Sequence, residues 1–159
     1  MPKVTGLGHV GLFVKDMPKM IDFYTNFLGL TLTDRGPDDR IVFLSANPES
    51  EHHELALAKS QDRHTDPQQL SFTCGSLTDL KAFYARIKAE NIKINHLTNH
   101  VNAFGCYFQD PEQNNVEVYW HTGRDYPQPC GLPLDLDMSE EELLAMNAAV
   151  PDKEPVAAN

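Results

Sequence analysis

Apolar side chains recur at Met20, Phe23, Tyr24, Phe27 and Leu28, three and four residues apart, which puts them on one face of a helix over residues 17–28. Asp16 stands where an N-cap belongs, Pro18 falls in the first turn, and Gly29 follows the last periodic residue. The same spacing returns at Leu80, Phe83, Tyr84 and Ile87 and predicts a helix over 78–89. Short apolar or alternating runs read as strands over 6–15, 30–33, 40–45, 53–58, 70–74 and 92–97. Turn-forming clusters, Gly36 to Asp39 and Asn47 to Ser50, separate the middle ones.

The stretch 104–120 reads as a hairpin, with Asp110 and Pro111 opening the turn and Asn114 and Asn115 closing it. Asn114 is the residue expected to take a positive φ there. If the hairpin is symmetric about Glu112, Tyr107 lies opposite Glu117, and directly opposite residues share a sheet face. Glu117 interrupts an apolar run from Val116 to Trp120. Spacing alone leaves two readings: an acid facing solvent on a half-exposed strand, or an acid that needs a partner such as a metal ion.

The order strand, helix, strand, strand, strand occurs twice, which indicates a duplicated supersecondary unit. His9 precedes Phe23 and Tyr24 by fourteen and fifteen residues, and Gln69 precedes Phe83 and Tyr84 by the same intervals. Glu54 in the last strand of the first module then aligns with Glu117 in the second, at an offset of 63 against 60 at the helices. The fold expected is α+β: modules 5–58 and 67–120, each βαβββ, within one domain over 5–120. A Pro-rich, acidic extension, 121–159, follows as a strap. In it Ser139 and Glu142 form a capping box that starts a short helix reaching about Ala149, and 151–159 are expected to be disordered.

At 159 residues the chain can bury a sizeable core. Of the net charge of −10, the extension carries −6 through eight acids and two bases, so the body is mildly acidic and offers no nucleic-acid groove or anionic-membrane patch. No apolar run approaches the roughly 20 residues that span a bilayer, and the first residues show no signal-peptide apolar segment. Three widely spaced cysteines, Cys74, Cys106 and Cys130, fit a reducing cytoplasm.

The repeat places His9, Gln69, Glu54 and Glu117 at equivalent positions, and imidazole, carboxamide and carboxylate are acceptable ligands for Fe(II), Mn(II), Ni(II) or Zn(II). His52 shares strand parity with Glu54 and is expected to point the same way, with His53 pointing away. His64, His96 and His121 read as surface residues, and Cys106 as a core residue facing away from Tyr107.

The run from His9 to Asp16, the segment Phe23 to Leu30 and the segment Asp110 to Glu117 resemble the vicinal oxygen chelate superfamily, which includes glyoxalase I, extradiol catechol dioxygenases and fosfomycin- and bleomycin-resistance proteins. The resemblance covers about residues 5–120 and implies an eight-stranded, cup-shaped mixed sheet with a divalent metal at its base, together with a homodimer. The stretch His52 to Leu57, and Tyr107 ten residues before Glu117, resemble the extradiol dioxygenases. That branch implies Fe(II), or Mn(II), acting on a small aromatic diol, with His9 and Glu117 as ligands and Tyr107, His100 and His52 as catalytic groups. Its second histidine would fall at Gln69. The set His9, Glu54, Gln69 and Glu117 instead resembles glyoxalase I, which implies Zn(II) or Ni(II) and an isomerase or lyase. A binding protein without catalysis is a third implied class.

Overall fold

A computed structural model describes residues 7–63 and 67–152. The chain is α+β, and its described residues form two units, one made of 7–63 and 67 with the turn 110–114, the other of 68–109 and 115–152.

In the first unit β1 (Val10–Val14) pairs in parallel with β4 (Leu55–Lys59), and β3 (Ile41–Ser45) and β2 (Thr31–Arg35) follow antiparallel, in the order β1-β4-β3-β2. One face of this sheet carries the buried Leu12, Val14, Val42, Leu44, Leu55 and Leu57. The helix α1 (Met17–Asp22) starts at Asp16, whose side chain accepts from Lys19 N. It is shorter than the helix expected over 17–28, because the aromatic-rich Phe23–Phe27 continues as a π-helical turn. Leu28 N bonds back to Phe23 O at 3.0 Å, and Phe23 and Phe27 stack at 5.1 Å. Gly29 ends the segment at φ 84, a conformation an L-residue pays for sterically.

The turn 110–114 belongs to this unit and is held by buried polar groups. Asp110, 4% exposed, accepts from Tyr24 Oη at 3.0 Å, from the main-chain N–H of Glu112 and Asn114 at 2.9 Å each, and from Asn114 Nδ2 at 2.7 Å. Burial, and then the Asp110 carboxylate, hold the Tyr24 phenol well above its usual range. Glu112 accepts from the N–H groups of Lys15 and Asp16, which tie the start of α1 to the turn. Gln113, not Asn114, takes the positive φ, because Asn114 is buried and committed to Asp110.

The second unit repeats the order as β5 (Leu70–Thr73), α2 (Leu77–Ala89), β6 (Ile94–Asn99), β7 (Ala103–Gln109) and β8 (Asn115–His121), with sheet order β5-β8-β7-β6. The Ser76 side chain caps α2 by accepting from Asp79 N at 3.0 Å. Its apolar face, Leu77, Leu80 and Ile87, is buried, as are Leu70, Phe104, Cys106, Phe108, Val116 and Val118 on one face of the sheet. Fully burying each large side chain contributes about 1.5–3 kcal/mol. The register pairs Tyr107 with Glu117, as the hairpin symmetry requires.

The extension packs on this unit as a strap. Asn99 and Leu132 form an antiparallel bridge, Lys81 Nζ donates to the carbonyls of Leu136 and Met138, and Lys88 pairs with Asp137 at 2.8 Å. The helix α3 (Glu140–Ala148) carries the expected capping box between Ser139 and Glu142. Gly6 at the start of the first expected strand, His64, and the expected disorder from 153 onward fall outside the described residues. Among the described residues no helix is long and apolar enough to cross a membrane.

Removing Asp110 leaves one phenol, two main-chain N–H groups and one amide without their acceptor. Asp110→Ala is expected to lower unfolding free energy by about 3 kcal/mol in urea denaturation. Unchanged stability would show that the turn does not depend on this carboxylate.

Candidate active site

Four side chains form one row across the second sheet. The register places Ser71 beside Glu117, Glu117 beside Tyr107, and Tyr107 beside His96. Neighbours in such a row share a face. The opposite face is the apolar core, so the row lies on the more polar side. Glu117 is nevertheless only 6% exposed.

The carboxylate has neutral partners. Ser71 Oγ donates to Glu117 Oε2 at 2.6 Å, and Gln69 Nε2 donates to the same oxygen at 3.2 Å and to Ser71 Oγ at 2.8 Å. Gln69 thus turns its NH₂ toward Glu117, and its carboxamide oxygen is the atom a cation would use. A Cβ on Gly105 would come within 2.6 Å of Glu117 Oε1 and 3.0 Å of the Tyr107 ring, so this glycine makes room for both groups. Cys106 faces the core, fully buried, as its parity requires.

Tyr107 joins the carboxylate to two histidines. Burial, and then hydrogen bonding to Glu117 and its charge, push the phenol well above its usual range, so it keeps its proton at neutral pH. His100 Nε2 lies 3.0 Å from Tyr107 Oη, and His100 Nδ1 is in hydrogen-bonding contact with the Cys130 carbonyl. A carbonyl only accepts, so Nδ1 carries the hydrogen and, in the neutral ring, Nε2 is the acceptor that faces Tyr107. His96 stacks on the Tyr107 ring at 4.0 Å with the planes 13° apart. It is exposed, as the sequence suggested, and it belongs to the site all the same.

In the first unit the corresponding row is Gly11, Ala56, Phe43 and Asp34. Ala56, not Glu54, is therefore the structural counterpart of Glu117. The expected offset of 63 fails because the first module's β3–β4 connection is longer than the second module's turn, which brings the true offset at the last strand to 61. Glu54 precedes β4 and closes that connection: its Oε2 accepts from Ala46 N at 2.7 Å and from Ser45 Oγ at 3.3 Å. The parity expected for His52 and His53 also fails, since residues 51–54 lie outside any strand. His53, not His52, packs against His9, with centroids 4.3 Å apart and the rings tilted by 44°, and also packs on Phe43 at 4.8 Å. Desolvation, and then His9 and His52, lower the His53 pKa. His52 turns toward Asp34, with Nε2 3.7 Å from Oδ2.

Sequence reasoning passed over Ser71, His53 and the role of His96. The missing signal was the register. In both modules a β-bulge interrupts the antiparallel ladder of the strand after the helix, between Leu32 and Asp34 and between Ile94 and His96. It breaks the simple index sum that would have led from Tyr107 to His96.

Among the described residues no three His, Cys, Asp or Glu side chains are grouped to hold a metal. A ligand set that includes Gln69 contains a carboxamide in place of one of them. The donor chemistry fits a divalent cation: a buried carboxylate that accepts from a serine hydroxyl and an amide, beside a neutral phenol, has hydrogen bonds but no compensating charge.

Residues 6–118 match the family model of the Glyoxalase/Bleomycin resistance protein/Dioxygenase superfamily, and the chain belongs to that superfamily. It is 49% identical over 57 residues to metapyrocatechase 2 of Cupriavidus necator, which covers 36% of this chain and 18% of that protein. It is 29% identical over 121 residues to biphenyl-2,3-diol 1,2-dioxygenase of Metapseudomonas furukawaii, covering 71% of this chain and 39% of the relative. The chain thus spans less than half the length of the curated relatives it matches. The crystal structure of lactoylglutathione lyase from Agrobacterium tumefaciens shares the fold, with TM-score 0.61, 20% identity and coverage of 74% of this chain and 95% of that one.

Two outcomes follow from this geometry. Gly105→Ala is expected to displace the Glu117 carboxylate and cost about 1–3 kcal/mol of stability in denaturant unfolding; an unperturbed variant would show that the space is not needed. Burial pushes the Cys74 thiol up to about 11 and the Cys106 thiol up to about 12, from an ordinary 9.0. The folded chain holds these protons more tightly than the unfolded chain. Their contribution is complete below pH 9.0 and declines as pH rises toward 11 and 12, so unfolding free energy is expected to fall over that window. A flat alkaline profile would contradict it.

Proposed function

We propose that this chain is a divalent-metal-dependent dioxygenase of the extradiol type, which cleaves the ring of a catechol or a related aromatic diol. The observation that carries the reading is the row Ser71, Glu117, Tyr107 and His96, with His100 bonded to the tyrosine, which the second module has and the first lacks. Three donors, His9, Gln69 and Glu117, are proposed to hold the metal. Fe(II) or Mn(II) suits such a set with open positions for diol and O₂. The glyoxalase-type alternative adds Glu54 as a fourth ligand; Glu54 lies before β4, where its Oε2 accepts from Ala46 N and Ser45 Oγ.

When bound, the metal supplies charge that lowers the pKa of a coordinated diol and a place for O₂ beside it. The chain's own residues do the rest. Ser71 and Gln69 fix one oxygen of Glu117, which orients the carboxylate. Tyr107 stays a phenol: its hydrogen points at His100 Nε2, and its oxygen accepts from a diol hydroxyl. His100 Nε2 takes a proton from a substrate hydroxyl directly or through Tyr107 and returns it later in the cycle. His96 holds the Tyr107 ring by stacking, and His53 packs against His9 in a tilted contact. His52, turned toward Asp34, is given no catalytic part. A homodimer in a reducing cytoplasm, where Cys74, Cys106 and Cys130 remain thiols, belongs to the same proposal.

The test is anaerobic loading with Fe(II), followed by admission of oxygen with a panel of catechols, read as oxygen uptake and a coloured ring-fission product. Turnover is expected for at least one diol, and Tyr107→Phe is expected to reduce kcat about 100-fold. Oxygen-independent turnover of a hemithioacetal, with no product from any catechol, would overturn the reading in favour of a glyoxalase-type enzyme.

A further inference from the structure

The loop from Asn99 to Asn102 carries a strained residue immediately after His100. Val101 has φ 70 and is fully buried. A β-branched side chain in the left-handed region is a genuine outlier and persists only where its surroundings over-determine it. Here they do. Val101 N donates to Asn99 Oδ1 at 2.6 Å, and Val101 O accepts from Thr122 Oγ1 at 2.6 Å and from Asn147 Nδ2 at 3.0 Å. Asn99 and Asn147 are themselves buried, at 1% and 3% exposure.

His100 is held just as completely. Its N–H donates to Ala103 O at 2.8 Å, its carbonyl accepts from Gln128 Nε2 at 2.8 Å, and its Nδ1 meets the Cys130 carbonyl. Gln128 works on both sides of this contact, because its Oε1 accepts from Cys130 N at 3.0 Å. The bridge between Asn99 and Leu132 fixes the strap on the far side, with bonds of 3.0 and 2.8 Å. Arg124 donates to the carbonyls of Asn147 and Val150 and pairs with Asp152 at 2.6 Å, which secures the end of α3 where Asn147 lies. Thr122, Arg124, Gln128, Cys130, Leu132 and Asn147 all lie beyond residue 118, where the family match ends.

We propose that the extension is a positioning element of the proton relay, and that Gln128 is its positioning residue: it holds the Cys130 carbonyl on His100 Nδ1 and so fixes the tautomer that presents an Nε2 lone pair to Tyr107. Neutral imidazole in water favours the opposite tautomer, with hydrogen on Nε2. That form would put a donor where the relay needs an acceptor. Without the strap, the ring loses the contact that selects the tautomer, and the Val101 turn loses Asn147. The inference rests on the relay described above, but the tautomer can be read without turnover.

The experiment is a two-bond ¹H–¹⁵N spectrum of histidine-labelled full-length protein at mildly alkaline pH, with His100 assigned by the loss of its signals in His100→Asn. The expected wild-type pattern is the Nδ1–H tautomer. Gln128→Ala is expected to move His100 toward Nε2–H while the melting temperature changes little. If that variant fails to fold, Gln128→Glu, which keeps the acceptor for Cys130 N–H but loses the donor to His100 O, is expected to give the same shift. With an active diol, Gln128→Ala is expected to lower kcat about tenfold at unchanged KM, and to have no further effect in a Tyr107→Phe background. An Nε2–H tautomer in the wild type, or one unmoved in the folded Gln128 variant, would overturn the proposal whatever the protein turns over.

Discussion

A carboxylate that is 6% exposed, on a strand flanked by Val116 and Val118, is the constraint around which the second module is built. Desolvating a charge costs several kcal/mol unless neighbours answer it. The sheet answers with a serine on one side, a tyrosine on the other, a carboxamide at the strand's start and a glycine that leaves space. Each of these neighbours is a consequence of register. A slip of one residue would turn Glu117 into the apolar core and bring Val116 or Val118 out. The apolar face, with Phe104, Cys106 and Phe108 packed behind the row, therefore determines the chemistry on the front.

The two modules show how duplication and specialisation coexist. Strand order, helix position and even the bulge in the strand after the helix are the same. The chemical row is not. Where the second module has Ser71, Glu117, Tyr107 and His96, the first has Gly11, Ala56, Phe43 and Asp34. Just before its parallel strands the first module packs His9 against His53, with the rings tilted by 44°. Its Glu54 fastens the β3–β4 loop. An asymmetric set of donors fits chemistry that needs open coordination positions better than a closed, symmetric four.

The architecture was legible because it rests on local periodicities: helix faces at Met20 and Leu80, caps at Asp16 and Ser139, and a hairpin whose symmetry placed Tyr107 against Glu117. The family resemblance was legible from short runs around His9, Phe23 and Asp110. What could not be read were features set by the exact length of connections. Glu54 looked like the partner of Glu117 because both precede a similar apolar run, yet the longer β3–β4 connection shifts the register by two residues. His52 and His53 were assigned faces by alternation, but alternation holds only inside a strand. The π-helical turn after Asp22 and the positive φ at Val101 depend on packing that no single-residue preference encodes.

The proposed three-donor centre assigns Glu117, and not Glu54, to the metal. Metal titration of the purified chain under anaerobic conditions tests it directly, comparing Fe(II) affinity in wild type, Glu117→Gln and Glu54→Gln. Glu117→Gln is expected to weaken binding by at least about tenfold and Glu54→Gln to leave it unchanged. Equal losses in the two variants would restore a four-ligand set and contradict the account.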